Sequence, residues 1–176
     1  MCIRDRFNKV WDFFRERYRQ LMLRAGYEND LIEAIISVDF DRVHGLRSRM
    51  DQLKKFSAES KEFPQLVLTF KRVSNILRKQ ETSFAVKPVL FKAPCESELW
   101  GAYESLSDDV GTFIEKGEYG RALDLLARLR NPVDAFFDGV EVMTREDQAL
   151  RENRIGILQH VAGLFRKVAD FSKFSL

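Results

Sequence analysis

The sequence is poor in the residues on which metal and nucleophile chemistry rests: its 176 residues hold two cysteines and two histidines. Cys2 and Cys95 lie far apart and match no paired metal or redox spacing, so a reducing, cytoplasmic setting is the default expectation. His44 has one acid near it in sequence, Asp41, and His160 has none at ligand spacing. A metal site or a catalytic triad needs more partners than that. Also missing are GxxxxGK[ST], GxGxxG opening a helix after a strand, HExxH and GxSxG. With them go the phosphate-cradling loops, zinc-protease helices and nucleophile elbows that those strings encode. No apolar run approaches the roughly 20 residues of a helical membrane span. The N-terminal stretch is charged and aromatic, without the apolar core of a secretory signal. Four prolines, 45% hydrophobic and 32% charged residues leave the class of a globular chain rich in helix. The length suits one substantial core or two small helical units packed together.

What the sequence does have is helical period, almost everywhere, with strict alternation nearly absent. Phe7, Val10, Trp11, Phe14, Tyr18, Leu21, Met22 and Ala25 form a single stripe, and Gly26 is placed to end that helix. A short helix follows from Asn29, a natural N-cap, through Leu31, Ile32, Ile35 and Ile36. A third, over about 41–56, buries Val43, Leu46, Met50 and Leu53; a fourth starts at Phe63-Pro64, runs to about Gln80 and carries Phe63, Leu66, Val67, Phe70, Val73 and Leu77. Residues 81–94 read as a connector, broken by Pro88 and Pro94 but apolar enough to pack. Beyond it the pattern predicts an acidic helix over 95–115 and another over 119–130. A helix capped at Asn131-Pro132 follows, and a last one is opened by the box-like Thr144-Arg145-Glu146-Asp147. The last stripe is Leu150, Ile157, Leu158, Val161, Leu164, Phe165 and Val168. The expected fold is an all-α helical bundle.

Charge is unevenly spread along it. Residues 1–94 carry 19 Lys and Arg against 12 Asp and Glu, and residues 95–176 carry 10 against 15, so a polyanion would be drawn to the first half. The acids Glu96, Glu98, Glu104, Asp108 and Asp109 read more simply as a solvated helix face than as a carboxylate site. In the fourth helix, Lys71, Asn75, Arg78 and Lys79 fall on one flank of the apolar stripe, Arg72 lies just beyond, and no acid occurs from Phe70 to Gln80. Such a strip can pair with phosphates, while an Asn amide offers both donor and acceptor to a base edge; a plain solvated basic face is the equal alternative. In the last helix Arg154 falls within the stripe, Asn153 on its edge and Arg151 beside it. Buried Arg and Asn need partners, so that helix start meets either a ligand or a buried acid on another helix. The basic first helix (Arg15, Arg17, Arg19, Arg24) is a further candidate surface, or one covered by other protein.

Four strings, in order and in register, resemble one family. Lys71-Arg72-Val73-Ser74-Asn75-Ile76-Leu77, Asn131-Pro132-Val133-Asp134-Ala135-Phe136-Phe137-Asp138, Leu150-Arg151-Glu152-Asn153-Arg154 and Ala169-Asp170-Phe171-Ser172-Lys173 are similar to the C-terminal region of the β subunit of two-subunit bacterial glycyl-tRNA synthetases. The LRENR string is also similar to the helical, DALR-type anticodon-binding domain of arginyl-tRNA synthetases. The resemblance runs from about Phe7 to Leu176. It implies an all-α anticodon-binding domain with preceding helices packed on it, and tRNA-Gly, the synthetase α subunit and the rest of the β subunit as partners. It further implies no membrane, no cofactor or catalytic residue in this chain, and ATP used only by the whole enzyme. Residues 1–6 then read as a non-native start, 7–94 as a basic N-terminal part and 95–176 as a C-terminal part, together one module. The tRNA-binding set read from the helix faces is Lys71, Arg72, Asn75, Arg78, Lys79, Arg151, Asn153 and Arg154. A helical scaffold that positions the α subunit without reading bases is the alternative.

Overall fold

The computed structural model describes residues 3–40 and 43–175, with side chains for 9–40 and 45–175. Cys2, Asp41 and the side chains of Phe7, Val43 and His44 therefore lie outside the described residues. Eight α-helices are present there, with no strand: α1 Ile3–Arg24, α2 Asn29–Ile36, α3 Val43–Glu59, α4 Phe63–Leu77, α5 Pro94–Glu115, α6 Tyr119–Ala127, α7 Arg130–Gly139 and α8 Gln148–Arg166. Short 3-10 turns cover Pro88–Leu90 and Phe171–Lys173. No described helix is long and apolar enough to cross a membrane.

The helical stripes predict the core well. Phe63, Leu66, Val67, Phe70 and Val73 of α4 are buried, as are all the stripe residues of α8, and α4 lies on α8 and on the Phe171–Lys173 turn. Aromatic rings close that contact: Phe70 sits 5.4 Å from Phe165 and 5.7 Å from Phe171, and Phe63 meets Phe174 edge-on at 5.1 Å. Edge and tilted ring pairs of this kind contribute beyond their buried area. One apolar core runs through both the basic and the acidic part of the chain. The connector 81–94 does not float either. Phe84 N–H donates to Oε1 of Gln159 at 2.9 Å, Gln159 Nε2 donates to the Thr82 carbonyl at 2.7 Å, and Lys87 N–H donates to Oδ1 of Asn153 at 2.7 Å. Gly156 lies between those two side chains on the same helix face. A Cβ there would come within 2.9 Å of the Phe84 carbonyl oxygen, so the glycine lets the connector lie flat on α8.

Two expectations are corrected, the stripe of α1 and the helix caps. The stripe of α1 is not core: Trp11 is 41%, Phe14 54% and Leu21 58% exposed, and among its described side chains Met22 is the one buried. The helix packs mainly on α2, so only an edge of the stripe is covered, with Trp11 and Tyr18 edge-on to Phe40. Arg19 is tied down, donating to Glu33 at 2.8 Å and Asn29 at 2.6 Å. The caps shift by a residue or more. Asn29 is the first residue of α2 rather than its cap, and α7 starts at Arg130, placing Pro132 in a first turn where its missing N–H is harmless. Asp147, not Thr144, caps α8, accepting from Leu150 N–H at 3.0 Å. Gly26 (φ +87°) and Gly117 (φ +74°) end α1 and α5 in the left-handed region, which glycine alone enters without cost.

Candidate nucleic-acid interface

Burying Phe70 and Val73 turns the flank Lys71, Asn75 and Arg78 of α4 toward the second half of α8. Between the two helices lies a groove of about 760 Å³, with Lys71, Asn75 and Arg78 along one wall and Ala162, Gly163 and Arg166 along the other. Gln80 past the end of α4, Ser83 of the connector and Ser172 of the last turn also line it, and the lining includes no acid. Gly163 keeps the α8 wall low, because a Cβ there would touch nothing within 4 Å. Arg78 donates through Nη2 to Oδ1 of Asn75 at 2.8 Å, so the amide N–H groups are what Asn75 has left to offer a ligand. Asp30 stands in electrostatic reach of Lys71. Its carboxyl is held below the usual aspartate range by hydrogen bonds from Ser175 and, to a lesser degree, by the lysine. Three cations and a cluster of small polar groups, with no carboxylate in the lining, make a surface suited to phosphodiester oxygens and an exposed base edge.

The structure brings together only part of the set read from the sequence. Lys71, Asn75 and Arg78 share the groove. Arg72 points the other way, its guanidinium 4.2 Å from the Phe137 ring centre and 4.0 Å from Asp138 on α7. Lys79 is exposed past the end of α4 and does not line the groove, nor does the half-buried Arg151.

Arg154 and Asn153 are buried, lie outside the groove and find partners within the chain, as the interhelix alternative expected. Arg154 is 7% exposed; its Nε donates to Oε1 of Glu96 at 2.8 Å and its Nη1 to the Glu141 carbonyl at 3.0 Å. Glu96, expected on a solvated face with Glu98, Glu104, Asp108 and Asp109, is fully buried, while the other four are exposed. Its second oxygen accepts from the Lys92 and Ala93 N–H groups at 2.6 Å each, capping α5 from the third helical position. Burial by itself would raise the Glu96 carboxyl; Arg154 and the two amides outweigh it and hold the pKa below the usual glutamate range. Asn153 holds the connector through Oδ1, while its Nδ2 is buried with no partner among the described residues.

The remaining chemistry-bearing side chains also have structural settings. His160 Nδ1 lies 2.9 Å from the Gly156 carbonyl, with the ring edge-on to Trp100 and Tyr103. Burial, and then the neighbouring Glu96, pushes the Cys95 thiol up, away from reactive thiolate. Asp170 accepts from Ser172 N–H at 3.1 Å and from its hydroxyl at 2.6 Å, which explains the Asp170-Phe171-Ser172 string as a turn holding Phe171 in the core. Sequence reasoning missed Arg166, Gly163 and Ser172 in the groove. Their one local signal was a helix-interior glycine at Gly163, costing about 1 kcal/mol against alanine unless its bareness is used.

Comparison with known proteins fits this arrangement. The family described as DALR anticodon binding domain matches residues 66–171, which hold every groove-lining residue except Ser172. The chain is 38% identical over 166 residues to the glycine–tRNA ligase beta subunit of Syntrophotalea carbinolica, covering 94% of this chain and 24% of that protein. It is 39% identical over 163 residues to the subunit of the same name from Desulforudis audaxviator, covering 93% and 23%. With that of Nitratidesulfovibrio vulgaris it shares 35% over 178 residues, covering 98% and 25%. The chain thus spans about a quarter of the length of the curated relatives it matches.

Proposed function

The chain belongs to the DALR anticodon binding domain family, and we propose that it binds tRNA-Gly through the α4–α8 groove, as the anticodon-recognising part of a glycine–tRNA ligase β subunit in the cytoplasm. Lys71, Arg78 and Arg166 pair with phosphates, and the Asn75 amide reads a base edge. The rest of the β subunit and an α subunit supply the remainder of the enzyme, including its use of ATP, and this chain supports glycylation by holding the tRNA. The observation that carries the reading is the acid-free groove with three cations flanking one asparagine, inside the segment that matches the family. Backbone contacts fix position and a base contact adds discrimination, which is how such a groove would read an anticodon.

Titrating the chain with tRNA-Gly transcript and with anticodon-substituted transcripts tests this. The reading expects saturable binding that weakens when the anticodon is changed. Equal affinity for every transcript would leave only backbone binding, and absence of binding would remove the proposal. One observation favours a second role alongside it: the aromatic face of α1, with Phe13 56% and Phe14 54% exposed, suits a protein partner within the same assembly. Pull-down of the α subunit by the chain, lost with Phe13→Ser and Phe14→Ser, would support that role.

A further inference from the structure

A second groove, of about 1540 Å³, lies across α8 from the first and is walled by α3, the end of α5 and the end of α8. Its most unusual lining residue is Arg49 of α3, which is 5% exposed. Nη2 of Arg49 reaches Oδ2 of Asp39 at 3.3 Å, and the guanidinium lies over the Tyr119 ring at 5.0 Å. Its Nε and Nη1 are buried and have no hydrogen-bond partner among the described residues. A buried guanidinium with unmatched N–H donors is costly; Nε and Nη1 lie on different edges of it, so two oxygens of one phosphate can meet one of them together with the second hydrogen of Nη2.

The surroundings favour an anion. Lys116, Arg166 and Lys167 line the groove together with Arg49, against the acids Asp39 and Glu115. Lys116 and Lys167 stand just past the carbonyl ends of α5 and α8, where a helix dipole favours a cation whether or not a ligand binds. Arg49 is mid-helix in α3 and has no such explanation. Gly111 and Gly163 leave the space open, and a Cβ on Gly111 would lie 4.0 Å from the Lys167 amine, so that amine stands over the α5 wall. Gly163 and Arg166 also line the first groove, which makes the two grooves one track over the end of α8.

We propose that this second groove carries a backbone phosphodiester of the same RNA strand that occupies the first, with Arg49 as its fork and Lys116 and Lys167 as point charges. The inference rests on the tRNA-binding reading above. It adds a contact from α3, which lies outside the matched segment 66–171.

The test is a titration of the 176-residue chain with fluorescent tRNA-Gly transcript at several salt concentrations, with melting temperature recorded for each variant. Lys116 and Lys167 are exposed, so Lys116→Ala with Lys167→Ala should stay folded and lose only the roughly 0.3–1 kcal/mol that each cation contributes at a helix end. That double variant should lose at least about fivefold in affinity and flatten the log–log salt slope by roughly 1.4–1.8. Arg49→Lys, which keeps the charge and loses the fork, should weaken binding several-fold with the salt slope nearly unchanged. If both behave as the parent while Lys71→Ala with Arg78→Ala weakens binding, the second groove is off the RNA path and the first-groove reading stands. If the parent chain itself fails to bind tRNA, both fall together.

Discussion

Arg154 and Glu96, 58 residues apart in sequence, form a buried ion pair: Nε donates to Oε1 at 2.8 Å with the glutamate fully enclosed. The pair joins the start of α8 to the start of α5. Removing either partner strands a buried charge, which costs about 3–5 kcal/mol. Arg154→Ala and Glu96→Ala should each show that loss in urea unfolding, and the combination Arg154→Met with Glu96→Leu should lose much less. If Arg154→Ala unfolds with the parent and instead weakens RNA binding, the pair is not a structural tie.

The same pair makes stability depend on pH. Because the folded pKa of Glu96 is depressed, the unfolded chain binds more protons as pH falls below the ordinary glutamate value of about 4.3. The contribution is therefore fully present above that value and is lost as pH falls through the folded pKa. Glu96→Gln should be less stable at neutral pH and show a shallower loss of stability over the acid range. Parallel stability–pH curves for parent and variant would contradict the assignment.

Two glycines of α8 should respond in opposite directions. Gly163→Ala meets nothing within 4 Å and gains helix propensity, so it should stabilise the chain by about 0.5–1 kcal/mol. Gly156→Ala drives a methyl to 2.9 Å from the Phe84 backbone carbonyl, so the connector must move and the propensity gain is overcome. A net loss of about 1–3 kcal/mol is expected. Thermal melts decide it, and a stabilising Gly156→Ala would mean that the connector is not held against α8.

The stripes of α4 and α8 were legible because period alone tells which face of a helix is apolar. The stripe of α1 was just as periodic, yet period says nothing about what covers it, and α2 covers only an edge. The caps slipped because Asn29, Asn131 and Thr144 are good cap residues standing within a turn or so of where each helix starts, and local preference cannot choose among such positions. Asn153 and Arg154 were correctly read as needing partners. Those partners, the Lys87 amide and Glu96, lie 66 and 58 residues away, beyond any local spacing. For the same reason one wall of the groove, Lys71, Asn75 and Arg78, was visible in a single helix. The other wall, Gly163 and Arg166, required the packing of α4 on α8.

In the proposed function, Asn75 and Arg78 have separable roles despite their shared hydrogen bond. Asn75→Ala should narrow the gap between tRNA-Gly and anticodon-substituted tRNA by on the order of 1–3 kcal/mol, with little change in salt slope. Arg78→Ala should weaken all tRNAs together. Competition binding with paired transcripts checks this, and an unchanged anticodon preference in Asn75→Ala would remove Asn75 as a base reader.

The most direct test of the α4–α8 groove as the tRNA surface is the salt dependence of tRNA-Gly binding in Lys71→Ala with Arg78→Ala. Binding through this groove predicts lower affinity for every tRNA and a log–log slope smaller by about 1.4–1.8, two phosphates' worth, with the melting temperature preserved. Parental affinity and slope in that double variant at physiological salt would contradict it and place the RNA elsewhere on the chain.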